Sequence, residues 1–305
     1  MKDESLVLNR LISLLPWKPR KTPRRSQGTI MGLGERQPRP GVTATFVDRL
    51  TEYISPIDPS WTETIRPARE DDIAQYLEKS GLARAKLSLP ESYTQFLSRM
   101  GEDDGGIFGT ALIDATMSNL LDYYSDALRG IYRDFDADDT NPELPVIAQY
   151  ETGDTISMDL RGRPEEPEIH DTESGEDLGF LADSFEKWTF QCAFKHCEEL
   201  RFPTVTSWSA SERDLRAATA RTDGGDGLDL VHNIMEREGF TPLWFSDRKN
   251  RFLTREDAAL YYERPGDHGI LIVLYGGNET TAKRLGTMLP NAVGTRAIDL
   301  DDYTD

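Results

Sequence analysis

The stretch Leu89–Gly106, LPESYTQFLSRMGEDDGG, decides how the first half of the chain folds. Ser88 and Glu91 have the three-residue spacing of a capping box, which predicts that a helix begins here. The apolar side chains that follow recur at helical spacing and form one face: Tyr93, Phe96, Leu97 and Met100. Gly101 stands where a helix commonly ends, and Gly105-Gly106 predicts a tight polar turn.

One segment before this stretch and two segments after it extend the pattern. Pro67–Leu82 (PAREDDIAQYLEKSGL) places three carboxylates in a first helical turn, where the helix dipole favours them. In Val146–Leu160 (VIAQYETGDTISMDL), the part Thr155–Leu160 alternates polar and apolar residues, which predicts a strand that pairs with Val146–Tyr150 as a β-hairpin across the turn at Thr152-Gly153-Asp154. Gly179–Phe190 (GFLADSFEKWTF) predicts a short strand and then a helix capped by Ser184.

In this order, the segments resemble the SUKH superfamily, which contains bacterial toxin-immunity proteins and a fungal cell-wall-synthesis regulator. The resemblance spans Ile65 to Phe190. It implies an α+β fold, with a SUKH-like mixed sheet flanked by helices and no catalytic residue. It also implies an immunity or regulatory role exerted by binding another protein.

The chain of 305 residues has a net charge of −19 that is unevenly distributed. Residues 1–40 hold nine basic and three acidic residues, whereas Asp134–Asp177 holds fifteen acidic and two basic residues. Such an acidic field repels nucleic acid and attracts cationic partners, although a solvated face that serves only solubility has the same composition. The resemblance favours the partner surface.

The sequence predicts a cytoplasmic protein. No apolar run approaches the roughly 20 residues of a membrane helix. The N-terminal SLVLNRLISLLPW is interrupted by Asn9 and Arg10, which makes it a poor signal peptide or anchor. Two cysteines, Cys192 and Cys197, are too few for a secreted disulfide scaffold.

The pattern along the chain predicts four regions. Residues 1–41 read as a basic flexible arm with a short amphipathic helix. This arm is either an unconstrained tail or a segment that binds an acidic surface, including the protein's own. Residues 42–202 form the SUKH-like domain, and residues 203–227 are expected to be a linker. Residues 228–305 predict a smaller C-terminal α+β domain with the element order α-β-β-β-α-β.

Several motifs suggest chemistry that their context disfavours. Cys192 and His196 have an i, i+4 spacing that can hold a metal, but both lie on apolar helix stripes, so core packing is the stronger interpretation. Gly276-Gly277-Asn278 joins a strand to a helix as phosphate loops do, yet Glu279 follows and a plain turn is favoured. No nucleophile motif surrounds any of the four histidines.

The acidic loops are the predicted partner-binding surface. Asp136, Asp138 and Asp139 resemble a calcium loop in composition, but the required Gly and Glu positions hold Asn141 and Ile147. We expect carboxylates to act by charge complementarity with the cationic cleft of a basic toxin or effector domain. The candidates are Asp103, Asp104, Asp136, Asp138, Asp139, Glu165 and Glu166.

No metal, cofactor, nucleic-acid ligand or membrane contact is predicted, and the oligomeric state stays open. The first alternative is a regulatory scaffold of a defence or cell-wall system, in which the C-terminal domain binds a second partner. The other is an enzyme whose site would have to lie in residues 228–305, where no family pattern is recognised.

Overall fold

A computed structural model describes residues 44–128, 141–173, 176–202, 204–220, 226–264, 269–276 and 279–298. The chain divides into two compact units, one ending at His196 and the other beginning at Cys197. No helix among these residues is long and apolar enough to cross a bilayer.

The first unit combines helices with a five-stranded sheet. Its helices are α1 (Phe46–Ile54), α2 (Trp61–Thr64), α3 (Glu70–Lys79), α4 (Leu82–Ala85), α5 (Glu91–Met100), α6 (Met117–Leu128) and α7 (Phe185–Arg201). The boundary between the units falls within α7. The strands are β1 (Ile113–Asp114), β2 (Val146–Tyr150), β3 (Thr155–Asp159), β4 (Glu168–Glu173) and β5 (Glu176–Ala182).

The first sheet has the strand order β1-β2-β3-β4-β5, and every pairing among these strands is antiparallel. This confirms the α+β class, but it corrects the expectation of a mixed sheet. The connections explain the difference, since β2 to β5 follow one another through short turns that reverse the chain. Gly153 has φ +95° in the β2–β3 turn, a conformation that glycine adopts readily.

The helix α5 buries the apolar face that its spacing predicts, but it starts differently. Pro90 occupies the N-cap position and no side chain caps the helix, so the capping box expected from Ser88 and Glu91 does not form. Proline suits the start of a helix because its missing N–H would have no intrahelical partner there. A reciprocal capping box instead starts α1, between Thr45 and Asp48.

Aromatic rings join α7 to the other helices of the first unit. Phe185 is fully buried, and its ring centroid lies 4.9 Å from that of Tyr93 and 5.4 Å from that of Phe96. One turn later, Trp188 stacks on Phe108 at 4.5 Å. Aromatic pairs of this kind add about 0.5–1.5 kcal/mol each beyond the area they bury. The closing helix is thus held by packing with α5 and with the segment after the glycine turn.

Two buried tyrosines connect the helices to the first strand of the β2–β3 hairpin. The Tyr76 hydroxyl donates to the carbonyl oxygen of Val146 at 2.9 Å, and the Val146 N–H donates to the Tyr124 hydroxyl oxygen at 2.9 Å. Burial raises the pKa of both phenols well above the usual value. Each hydroxyl satisfies one backbone group of β2 at its first residue.

Replacing Tyr124 with phenylalanine should therefore cost about 1–3 kcal/mol of stability, because it leaves the buried N–H of Val146 without its acceptor. Tyr76→Phe is the comparison, and we expect a smaller loss, since a carbonyl oxygen has two lone pairs and tolerates a lost donor better. Urea unfolding of the three proteins measures both costs. A Tyr124→Phe variant as stable as the wild type would contradict this assignment.

The second unit contains a six-stranded antiparallel sheet in the order β11-β6-β10-β9-β8-β7. Its strands are β6 (Val205–Ala210), β7 (Thr241–Pro242), β8 (Asn250–Arg255), β9 (Ala258–Glu263), β10 (Ile270–Gly276) and β11 (Arg296–Ile298). Its helices are α8 (Glu212–Thr219), α9 (Gly227–Arg237) and α10 (Glu279–Val293). They pack on one face of the sheet around a core that includes Trp208, Leu215, Val231 and Leu285.

The stretch 203–227, expected to be a linker, instead contributes β6 and α8 to this unit. The strand β6 lies between β10 and β11, and Trp208 and Ala210 face the core. Its sequence VTSWSA is short and half polar, which conceals a strand that long-range pairing stabilises. The unit also has four strands between its last two helices, one more than the expected order α-β-β-β-α-β, because the chain turns at Glu256-Asp257 and forms the β8–β9 hairpin.

Candidate functional site

The two aspartates before the glycine turn bind the turn itself. The Gly105 N–H donates to Oδ1 of Asp103 at 2.9 Å, and the Gly106 N–H donates to Oδ1 of Asp104 at 2.7 Å. Both glycines have positive φ values, +71° and +87°. Aspartate side chains that accept from the backbone two residues later are typical of tight turns. Asp103 and Asp104 therefore have a structural role in addition to any contact with a partner.

Asp104 is the more enclosed of the two. Its carboxylate accepts from the backbone of Gly106, Ile107 and Phe108, and its carbonyl oxygen accepts from Nε1 of Trp61 at 2.8 Å. Burial raises the pKa of this carboxyl to about 6, although the three backbone donors act in the opposite direction. The side chain is thus less available to a partner than the sequence suggests, whereas Asp103 is exposed.

The raised pKa of Asp104 makes stability depend on pH. The folded protein holds this proton more tightly than the unfolded chain, whose carboxyl has the ordinary value of 3.8. The contribution of Asp104 to stability is therefore fully present only below about pH 4, and it falls by about 2–3 kcal/mol as the pH rises through about 6. Asp104→Asn should remove this slope while keeping the oxygen acceptor. Urea unfolding at pH 4, 5, 6 and 7 measures it, with Asp103→Asn as the matched control that should keep the slope.

His196 supports the glycine turn from α7. Its ring hydrogen-bonds to the backbone of Gly106, and Nε2 lies 3.7 Å from Oδ2 of Asp58. Burial lowers the pKa of this imidazole, and the Asp58 carboxylate partly opposes that shift. Cys192, the other half of the i, i+4 pair, is buried in the core. No group of three or more metal-binding side chains occurs among the residues described by the structure.

The loop 161–167 carries the second pair of acidic residues that the sequence predicted for the binding surface. Glu165 and Glu166 are exposed, and the loop closes through a bond from the Glu166 N–H to the Arg163 carbonyl oxygen at 3.0 Å. This loop joins β3 to β4, at the end of the sheet opposite the β2–β3 turn. Asp136, Asp138 and Asp139 lie outside the described residues.

The segment that follows the glycine turn joins the sheet at its other end. The Glu151 N–H, at the β2–β3 turn, donates to the Leu112 carbonyl oxygen at 3.0 Å. The chain that follows Asp103 and Asp104 therefore reaches one end of the sheet, and the loop with Glu165 and Glu166 lies at the opposite end.

One cluster of charged side chains surrounds a histidine that sequence analysis did not select. Nδ1 of His170 lies 2.9 Å from Oδ1 of Asp177, and Nε2 lies 3.4 Å from Oε2 of Glu168. Asp159, on the neighbouring strand, forms a two-point ion pair with Arg161 at 2.7 and 2.8 Å. We call these five residues the His170 cluster. It borders the loop that holds Glu165 and Glu166.

The His170 cluster sits on a polar part of the sheet. The Arg161 guanidinium lowers the pKa of Asp159, and His170 adds to that effect. Beside His170, the hydroxyl groups of Thr155, Ser157 and Thr172 bond one another across β3 and β4 at 2.7 and 2.9 Å. The hint in the sequence is the alternation Glu168-x-His170-x-Thr172, which places all three side chains on one face of a strand.

The second unit offers one arrangement that resembles catalytic machinery. Nδ1 of His232 lies 2.9 Å from the Tyr262 hydroxyl, and Nε2 lies 3.4 Å from Oε1 of Glu236. Tyr262 is fully buried, and burial raises the pKa of its hydroxyl far above the usual range. The histidine thus satisfies a buried hydroxyl in the core, and the arrangement is not that of an accessible nucleophile.

The glycine turn after β10 also has a structural explanation. Gly276 has φ +69°, and a Cβ there would lie 2.3 Å from Cδ1 of Phe202. The backbone conformation and this close approach require glycine without reference to a phosphate. Gly277 and Asn278 lie outside the described residues.

Residues 67–191 match the sequence model of the SMI1/KNR4 family (SUKH-1). Searches of curated proteins and of solved structures each gave no significant match. The matched residues run from the segment before α3, through the glycine turn and the whole first sheet, to the first part of α7. Residues 67–191 of this chain belong to the SUKH superfamily.

Proposed function

We propose that the protein is a cytoplasmic immunity protein that binds a toxin domain and neutralises it without catalysing a reaction. The observation that carries this proposal is the coincidence of a SUKH domain with the acidic charge of the chain. The unit Arg39–His196 has a net charge of −18, whereas residues 197–305 have a net charge of −6. Toxins that act on nucleic acid have cationic clefts, and an acidic protein can occupy such a cleft in place of the polyanion.

The exposed carboxylates best suited to this role are on the first sheet and its loop. Glu165 and Glu166 are exposed, and Asp177 and Glu168 have side chains that are 36% and 39% exposed. Asp103 remains a candidate at the glycine turn, whereas the Asp104 carboxylate is engaged by three backbone donors. The candidates Asp136, Asp138 and Asp139 belong to the same acidic stretch of sequence.

Charge complementarity of this kind acts mainly on the association rate and on partner choice. Ion pairs at an exposed rim contribute little each, and salt screens them. The complex should therefore form quickly at low ionic strength and more slowly as salt is added. The partner consistent with this surface is a basic toxin or effector domain, such as a nuclease or another enzyme that modifies nucleic acid.

The test is co-expression with the product of the adjacent gene, because an immunity gene is expected beside its toxin gene. We expect the wild-type protein to restore growth and to co-purify with that product as a stable complex. Toxicity that persists while the protein is folded and abundant would contradict the proposal. Growth restored without a complex would also contradict it, since neutralisation by binding requires both.

A regulatory scaffold is the second candidate, and one observation favours it. The second unit has its own core and its own six-stranded sheet, so it offers a surface separate from the SUKH domain. A scaffold would bind two partners at once and would not need a toxin gene as its neighbour. Capture with the full chain that recovers two proteins together, without any effect on toxicity, would favour this role.

A further inference from the structure

Leu178 is an exposed leucine on the edge strand of the first sheet. In the described part of the chain, two large apolar residues are exposed, Leu178 at 41% and Leu200 at 50%. The strand β5 lies at the end of the order β1-β2-β3-β4-β5, beside β4. Further along β5, Phe180 is 7% exposed and Ala182 is fully buried. Leu178 is thus the position at which the apolar residues of this strand reach solvent.

A β-bulge holds Leu178 in place. Asp177 pairs with Thr172 of β4 and Gly179 pairs with Asp171, so Leu178 is an extra residue with no counterpart on β4. Gly179 has φ +145°, which a residue with a Cβ rarely adopts, and its N–H donates to Oδ1 of Asp177 at 2.9 Å. The backbone is therefore fixed on both sides of Leu178. Bulges of this kind commonly re-aim a side chain.

Protection of the sheet edge explains only part of this arrangement. Bulges and charged side chains on an edge strand prevent its backbone from pairing with another chain. The bulge and Asp177 serve that purpose, but a leucine at the extra position does not, because it adds apolar surface. Single apolar residues are common on protein surfaces, so exposure alone is not the argument. Leu178 differs in being fixed at a bulge and bordered by charges of one sign.

The charges beside Leu178 are acidic. Residues 168–182, which form the β4–β5 hairpin, contain five acidic residues and no lysine or arginine. The neighbouring Asp177 has a side chain that is 36% exposed. Arg161 also acts on Asp177, but Asp159 engages that guanidinium in a two-point ion pair. An apolar contact with a polar, charged rim is the usual layout of a protein interface.

The sign of this rim selects the occupant. A second copy of the chain would place the same acidic hairpin against itself, because a twofold interface uses the same patch on both subunits. Like charges brought together in this way oppose association. A cationic surface is complementary to the hairpin, and an apolar side chain within that surface is complementary to Leu178.

We propose that Leu178 is the apolar contact of the partner-binding surface, and that it docks against an apolar side chain flanked by lysine or arginine on the partner. Removal of the leucine from water favours association, and the surrounding carboxylates disfavour acidic or purely apolar partners. The proposal rests on the proposed function and deepens it, because it names a residue that distinguishes one cationic partner from another.

Two synthetic peptides of equal charge, KLKLKLK and KSKSKSK, test the proposal on the full-length protein. Each carries four lysines, so charge alone predicts the same affinity for both. Fluorescence anisotropy of the labelled peptides measures the two dissociation constants. We expect the leucine peptide to bind the wild type about threefold to tenfold more tightly than the serine peptide. Equal binding of the two peptides by the wild type would overturn the proposal.

Four variants locate the preference for the leucine peptide. Leu178→Ser should abolish it, whereas Leu178→Met, which keeps an apolar side chain, should preserve it. Leu200→Ser removes the other exposed leucine and is the matched control, so it should keep the preference. Asp177→Asn retains an oxygen acceptor for the Gly179 N–H and should weaken both peptides to the same extent. A preference that persists in Leu178→Ser, or that is lost equally in Leu200→Ser, would overturn the proposal.

Two competing occupants give different results. If the preference appears only after the five basic residues between positions 18 and 25 are replaced with glutamine, the basic arm occupies the surface and the proposal fails. If the wild type is a dimer in sedimentation and Leu178→Ser is a monomer, the surface binds a second copy and the proposal also fails.

The peptide measurement does not depend on a toxin. Failed growth rescue together with a Leu178-dependent preference would refute immunity and keep the docking surface. Growth rescue without that preference would do the opposite. Where the adjacent gene product binds, Leu178→Ser should weaken that complex about fivefold or more and Leu200→Ser should not. Equal affinity of the two variants for that product would contradict the proposal.

Discussion

Replacing Gly105 with alanine is expected to destabilise the first unit by about 3 kcal/mol, from two additive causes. The residue has φ +71°, a conformation that costs a residue with a Cβ about 1–2 kcal/mol. The added Cβ would also lie 2.5 Å from both Cδ1 and Nε1 of Trp61, and 2.8 Å from Oγ1 of Thr64. Trp61 is fully buried, so its ring has no room to move aside.

The measurement is the free energy of unfolding in urea, with two glycines of the same unit as controls. Gly162→Ala meets no atom within 4 Å and should change stability little. Gly153→Ala has φ +95° and also meets no atom within 4 Å, so it reports backbone strain alone, about 1 kcal/mol. A Gly105→Ala variant no less stable than Gly153→Ala would show that the contact with Trp61 does not constrain the turn.

The second large effect is expected from reversing Glu165 and Glu166 together to lysine. Each change alters the charge of the acidic surface by two, so the pair turns an attractive loop into a repulsive one. We expect affinity for the toxin partner to fall about tenfold or more at low salt, mostly through a slower association rate. The salt dependence of binding should become flatter, because fewer charges are screened.

Surface plasmon resonance at 50 and 300 mM salt measures both rates. The matched control is Glu52→Lys with Glu78→Lys. This variant has the same net charge as the loop variant, but its changes lie on α1 and α3. An equal loss in the control would mean that total charge matters and the loop does not. Unchanged affinity in the loop variant would remove Glu165 and Glu166 from the binding surface.

Local patterns were sufficient for the elements whose stabilising contacts are near in sequence. The β2–β3 hairpin was predicted from the alternation that includes Ile156 and Met158, together with the turn at Gly153 that precedes them. Both side chains are fully buried. The apolar spacing of α5 likewise predicted its buried face. Elements that depend on distant partners were missed. The strand β6 pairs with β10, about 65 residues later in the sequence, and its own residues are too polar to reveal it.

The candidate site was only partly accessible from the sequence for the same reason. Acidic composition identified Glu165 and Glu166, which the structure leaves exposed. The sequence did not show that Asp104 folds its carboxylate onto three backbone donors, because turn geometry determines that contact. His170 was not selected because Asp177 meets it through the β4–β5 pairing, whose register shifts twice. Register irregularities of this kind re-aim side chains and leave little trace in the sequence.

The most direct test of the central claim, that the SUKH domain protects by binding and neutralising a toxin, is an activity titration. The purified product of the adjacent gene is assayed on nucleic acid while the full-length protein is added in increasing amounts. We predict that activity falls linearly and vanishes near one equivalent, and that the Glu165→Lys, Glu166→Lys variant requires an excess. A toxin that stays fully active within a stable complex, or that forms no complex, would contradict the account.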